Sequence, residues 1–211
     1  MNQFMKDDFV RSVVCIKNRM EANKDYLIEL DSAIGDGDLG LTMLKGFTAG
    51  MEAAKMASDT DLGMLFKRTG FAIAKAAPST MGTLMGTAFI AAGKMLAGLE
   101  SADASQIGGI FTAMADGISE RGKAKEGDKT LLDVLYPVGR AVEALVSDDI
   151  ALRMKTAAGE AAQSTEKAKS LMNQHGKAAV FREKTIGLLD PGSVAAMLMI
   201  EGFAEACGAQ R

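Results

Sequence analysis

The sequence predicts an all-α protein, a bundle or helical barrel of about eight antiparallel helices. Two observations give the helices and a third removes the alternative. Apolar residues recur at helical spacing, and the stretches that carry them are rich in Ala, Met, Leu, Lys and Glu, which lose little side-chain freedom in a helix. Strand formers are thin: valine is scarce, only two tyrosines occur in 211 residues, and alternating apolar runs are rare.

The first helix is read through Phe9, Val13, Ile16 and Met20, and the second through Leu41, Met43, Leu44 and Phe47. Further helical stretches cover 61–76, 82–99, 105–121, 130–147, 149–172 and 193–207. Asp61 and Ser105 stand where they can cap helix starts, and Ser193, just after Pro191-Gly192, can cap the last helix. Pro137 falls inside the 130–147 pattern, where its missing N–H should kink or break the helix. The 15 methionines read as deformable core filling rather than as contacts to a cofactor. Neither a low-complexity linker nor an internal repeat interrupts the pattern, so residues 1–211 are expected to form one domain, its helices joined by short connections that favour antiparallel neighbours.

Composition narrows the function. A net charge of -3 without any dense Lys/Arg stretch argues against a nucleic-acid surface. The apolar runs are far shorter than the roughly 20 residues of a membrane span. MNQFMKDDF has no basic start followed by an apolar segment, hence no secretory signal. Cys15 and Cys207 form neither a disulfide framework nor a zinc spacing. These features together lead to the expectation of a cytoplasmic protein without a nucleic-acid or membrane partner.

Three loops differ from ordinary connectors. In ELDSAIGDGDLGLTM, Glu29, Asp31, Asp36 and Asp38 gather four carboxylates with no Lys or Arg between them. Unpaired, such charges would raise one another's pKa values, and a hard cation held by oxygen ligands removes the conflict. Gly35, Gly37 and Gly40 give the backbone freedom to fold around an ion. A solvated turn whose aspartates cap the next helix is the alternative. The same residues fit the G-x-G-x-x-G template of a dinucleotide loop, but aspartates at its variable positions would face the pyrophosphate they should bind.

The second loop, APSTMGTLMGTAF (77–89), places small residues before a helix start, where free N–H groups can seat an anion; close helix packing through Gly82 and Gly86 explains it equally well. The third feature is split between RGKAKEGDKTLLD (121–133) and GKAAVFREKTIGLLDPG (176–192), the latter long for a connector in an all-α domain. His175, the only histidine, is more readily structural or solvated than catalytic. No nucleophile, base and orienter can be assembled, which leaves metals and positioning to carry any chemistry.

Taken together, these motifs resemble the L subunit of dihydroxyacetone kinase, a nucleotide-binding family. Its acidic motif matches Asp31, Asp36 and Asp38, followed by Gly40, Met43, Gly46 and Phe47. RGKAKEGDKTLLDV resembles the family's second signature at Arg121 to Val134, and IGLLDPG its last at Ile186 to Gly192. The resemblance implies a barrel of eight antiparallel helices and two Mg2+ ions on the three aspartates, bridging the phosphates of ADP or ATP. It implies phosphate contacts from the backbone around Leu39, Gly40, Leu41 and Thr42, and from Thr80 and Met81, with Gly122, Leu131, Lys177, Asp190, Pro191 and Gly192 lining the nucleotide.

It further implies a K-type subunit that holds dihydroxyacetone, or a related ketose, on a histidine, and an M-type phosphohistidine subunit of a phosphotransferase system that recharges ADP. Two other roles stay open: an ATP-exchanging kinase subunit for another triose or tetrulose, and a non-catalytic nucleotide sensor that binds a partner. The departures motivate the second. Leu39 stands where the family usually has histidine, Thr42 where it has asparagine, Met81 replaces the serine of its phosphate loop, Lys177 replaces an arginine, and Leu188 replaces a histidine. Lys177 keeps the charge of arginine but loses the bidentate fork.

Overall fold

The computed structural model describes residues 2–208. Its α-helices are α1 (Lys6–Ala22), α2 (Lys24–Ile34), α3 (Leu39–Met56), α4 (Leu62–Ala76), α5 (Thr80–Met95), α6 (Ala104–Gly122), α7 (Leu132–Ala144), α8 (Ile150–Lys167) and α9 (Pro191–Ala206). Two 3-10 segments, Ala168–Ser170 and Lys177–Thr185, lie between α8 and α9. Two short strands, β1 (Gln3–Met5) and β2 (Ser101–Asp103), pair antiparallel.

Eight of the helices close a ring. In order, α1 packs on α3, α3 on α4, and so on through α9, which returns to α1. The remaining helix, α2, lies against α3 and α9 at one end of the ring. That helix was not expected: Glu29 and Asp31, read as part of a loop, belong to it, and the loop shrinks to residues 35–38. The reason is length, because α2 has only 11 residues and its apolar stripe buries only Leu27 and Ile34.

The ring is filled rather than hollow. Phe9, Phe47, Phe66, Phe89, Phe111 and Phe203, from six different helices, form one chain of ring contacts with centroids 4.3 to 6.4 Å apart. Met20, Met43, Met85, Met114 and Met199 fill the gaps around them, as core methionines do. Between α4 and α5 the backbones touch through glycine. A Cβ on Gly70 would sit 2.5 Å from the Gly86 carbonyl oxygen, and one on Gly63 would sit 2.6 Å from that of Gly93. Gly86 is therefore a packing residue, although the loop just before it has another role.

Caps differ from expectation at two starts. Asp61 does cap α4, accepting from Met64 N at 3.1 Å. For α6 the cap is Asp103, which accepts from Ser105 N and Gln106 N, and Ser105 is inside the helix. For α9 it is Asp190, which accepts from Ser193 N at 2.7 Å while Pro191 occupies the first turn, where a missing N–H costs nothing. Pro137 sits within α7, which continues to Ala144. No helix among the described residues is long and apolar enough to cross a membrane.

Candidate cation and phosphate site

In a ring of alternating helices every second connection falls at the same end. Here those connections precede α3, α5, α7 and α9, and they enclose a cavity of about 330 Å3. Its lining divides by chemistry. Asp31, Asp36, Asp38 and Lys177 supply charge, whereas Met81, Leu84, Ile118 and Leu131 form an apolar wall.

The carboxylates converge. Asp31 comes from the last turn of α2, Asp36 from the turn, and Asp38 from the residue before α3, and one oxygen from each lies within 4.8 Å of the others. Two glycines permit this. Gly37 has a φ of +72°, and a Cβ on Gly35 would sit 2.2 Å from Asp31 Oδ1. Asp31 Oδ2 accepts from Asp38 N at 3.0 Å and Leu39 N at 3.2 Å, so it also serves as the cap of α3.

The charges are unevenly compensated. Lys177 Nζ pairs with Asp36, and that hydrogen bond holds the Asp36 carboxyl below its ordinary range. Burial pushes Asp38 up, and the neighbouring Asp36 and Asp31 charges push it further. Three carboxylate oxygens with no histidine or cysteine among them suit a hard divalent cation, and the raised Asp38 is the repulsion that such a cation relieves. Glu29 is not part of this group. It lies two residues before Asp31 on the same helix, about 200° around the axis, and is exposed.

The other expected residues divide. Leu39, Thr80, Met81, Gly122, Leu131, Lys177, Asp190, Pro191 and Gly192 all line the cavity. Gly40, Leu41 and Thr42 are not among the lining residues; they form the first turn of α3. A Cβ on Gly40 would meet Lys24 O at 2.1 Å, Leu41 is 56% exposed, and Thr42 N bonds to Asp38 O within the helix. Ser79 caps α5 through Gly82 N at 3.1 Å, and Ser79, Thr80 and Met81 face the cavity. The stretch 77–89 thus lines the cavity at its start and packs helix on helix at Gly86.

The α8–α9 connection is anchored from beneath by a residue that the sequence did not single out. Lys129 is fully buried, and its ammonium donates to the carbonyls of Lys169, Leu171 and Thr185. Burial pushes its pKa down, with the Asp190 charge opposing. Asn173 adds a second tie, donating from Nδ2 to Lys129 O and to Asp190 Oδ1, each at 2.8 Å. Burial raises the Asp190 pKa against the hydrogen bonds from Ser193 and Asn173. His175 is held by Asp128, with Nε2 2.9 Å from Oδ2, and it lines the cavity beside Gly176. Farther out the connection is less constrained: Arg182 adopts φ 48°, ψ -128°, and Val180 is 82% exposed.

Fold and site together define an all-α protein with a carboxylate cluster able to hold a cation and four helix starts facing one cavity. The chain belongs to the DAK2 domain family, whose model matches residues 33–205. It is 35% identical over 185 residues to the ADP-binding subunit DhaL of the PEP-dependent dihydroxyacetone kinase of Escherichia coli K12, covering 85% of this chain and 87% of that one. It is 30% identical to the L-erythrulose 1-kinase of Mycolicibacterium smegmatis, covering 91% of this chain and 33% of that protein. Among solved structures, the dihydroxyacetone kinase of C. freundii in complex with AMP-PNP and Mg2+ superposes with a TM-score of 0.70 at 23% identity. That match covers 93% of this chain, which spans about a third of the C. freundii kinase chain.

Proposed function

We propose that this chain is the nucleotide-carrying subunit of a dihydroxyacetone-type kinase. It holds ADP or ATP with two Mg2+ ions and presents the γ-phosphoryl to dihydroxyacetone, or a related ketose, bound on a separate K-type subunit. An M-type phosphohistidine subunit recharges the ADP in the cytoplasm. The observation that carries this reading is the convergence of Asp31, Asp36 and Asp38 at an apolar cavity onto which four helices open. Similarity to the E. coli ADP-binding subunit over nearly the whole chain supports it.

When bound, Mg2+ neutralises phosphate charge and orients the transferred group, which is most of what phosphoryl transfer needs. The chain's own residues do the holding. Asp31, Asp36 and Asp38 ligate the cations, and Thr80 and Met81 offer the start of α5 to the phosphates. Lys177 adds a cationic group beside Asp36, and Leu131, Met81 and Gly122 enclose the nucleoside away from water. No side chain here is positioned as a nucleophile, so the acceptor must be brought by the partner.

Native mass spectrometry of gently purified protein tests the reading, with calorimetric titration of ADP in the presence and absence of Mg2+. Retained ADP, or Mg2+-dependent binding, is the expected result; neither being found would overturn it. A tetrulose acceptor is the second reading, favoured by the 30% identity to the L-erythrulose 1-kinase. Turnover of dihydroxyacetone against erythrulose with a K-type partner separates the two, and normal turnover of either removes a purely sensory role.

A further inference from the structure

One buried polar atom in the cavity wall has no donor among the described residues. Asn173 is 4% exposed, and its Oδ1 accepts no hydrogen bond. The amide orientation is fixed by its surroundings. Both Nδ2 hydrogens go to acceptors, Lys129 O and Asp190 Oδ1, and Asn173 N donates to Thr185 Oγ1 at 3.1 Å. Flipping the amide would set oxygen against oxygen at both Nδ2 contacts. That leaves Oδ1 on the opposite edge of the carboxamide, on a residue that lines the cavity. A buried acceptor left without a donor is costly, and natural sites complete such atoms with water or with ligand.

Resting on the reading of the site as a nucleotide site, we infer that Asn173 is a specificity-determining residue whose Oδ1 accepts a hydrogen bond from the nucleoside half of the nucleotide. The chemistry excludes the other half, because ionised phosphates carry acceptors only and cannot satisfy a carbonyl oxygen. The donors a nucleoside offers are the ribose hydroxyls and the exocyclic amino group of adenine. Position agrees with this. Through Lys129 O and Asp190, Asn173 is tied to the starts of α7 and α9, where Leu131, Pro191 and Gly192 line the cavity. Asn173 also fixes Asp190, so the specificity it confers is built into the same network that caps α9.

The test uses the whole chain and a set of nucleotides, ADP, 2'-deoxy-ADP, 3'-deoxy-ADP and inosine diphosphate, each titrated calorimetrically with Mg2+. One analogue that lacks the matching donor should bind on the order of tenfold more weakly than ADP, because it leaves Oδ1 unpaired. The analogue that loses affinity identifies the donor as hydroxyl or amine. In Asn173→Ala the affinity ratio of ADP to that analogue should fall to about one, whatever happens to absolute affinity. The wild-type series needs no variant to fold. Equal affinity for all four nucleotides, or a ratio that survives in Asn173→Ala, overturns the inference in favour of an ordered water on Oδ1. Absence of binding by every nucleotide instead overturns the site reading itself.

Discussion

The two ends of the helical ring use the same residue type in opposite ways. At the end away from the cavity, α4, α6 and α8 each begin at an aspartate, Asp61, Asp103 or Asp149, whose carboxylate accepts amides two or three residues along its own chain. That end is further sewn by Leu62 N to Leu99 O at 2.7 Å, Gly98 N to Asp61 Oδ2 at 3.0 Å, and the β1–β2 pair. At the cavity end only α9 begins at a capping aspartate, Asp190; α3 and α7 have no cap from their own N-cap side chain, and α5 has only the neutral hydroxyl of Ser79. There Asp36 and Asp38 accept nothing from the helix they precede, and Asp31 reaches seven and eight residues ahead to serve α3. The aspartates of the far end are spent on helix amides, whereas Asp36, Asp38 and the second oxygen of Asp31 are left available to a cation, and the start of α5 to an anion.

That contrast can be broken at three places. The largest effect is expected at Asp36: Asp36→Asn should weaken Mg2+-dependent ADP binding on the order of a hundredfold, measured by calorimetry, with the melting temperature nearly unchanged because its ion pair to Lys177 is exposed. Lys129→Met comes next. It strands three buried carbonyls and should cost about 3 kcal/mol in urea unfolding. Proteolysis should then cut first within 168–190, and ADP affinity should fall with the loosened connection. The smallest effect belongs to the opposite end, where Asp61→Ala should cost about 1 kcal/mol of stability and leave ADP affinity unaltered. If Asp61→Ala weakened ADP binding as strongly as Asp36→Asn, the division between the two ends would not stand.

Much of this was legible in the sequence, and the failures have physical causes. The ring helices announce themselves because each buries an apolar stripe. α2 buries only a narrow one, Leu27 and Ile34 in 11 residues, because it lies at the end of the ring. The β1–β2 pair spans three residues per strand, too few for a period to register. The caps of α6 and α9 were assigned to serines standing two or three residues after the true aspartates, and both residue types have nearly equal cap preference. The carboxylate trio could be read because it is local, within eight residues of chain. Asn173 and Lys129 could not, because their roles come from contacts across 42 to 56 residues, and nothing in a window of sequence marks a polar residue as buried. Gly40, Leu41 and Thr42 entered the phosphate set through the family resemblance alone, and they form the first turn of α3 without lining the cavity.

The antiparallel return of α9 onto α1 has a practical corollary. Cys207, just past α9, lies near Asp8 and Arg11 at the start of α1, and β1 joins the end opposite the cavity. Both ends of the described chain therefore lie at the far face, about 24 Å from the cavity along a 16-residue helix. An affinity handle on either side leaves the cavity mouth unobstructed.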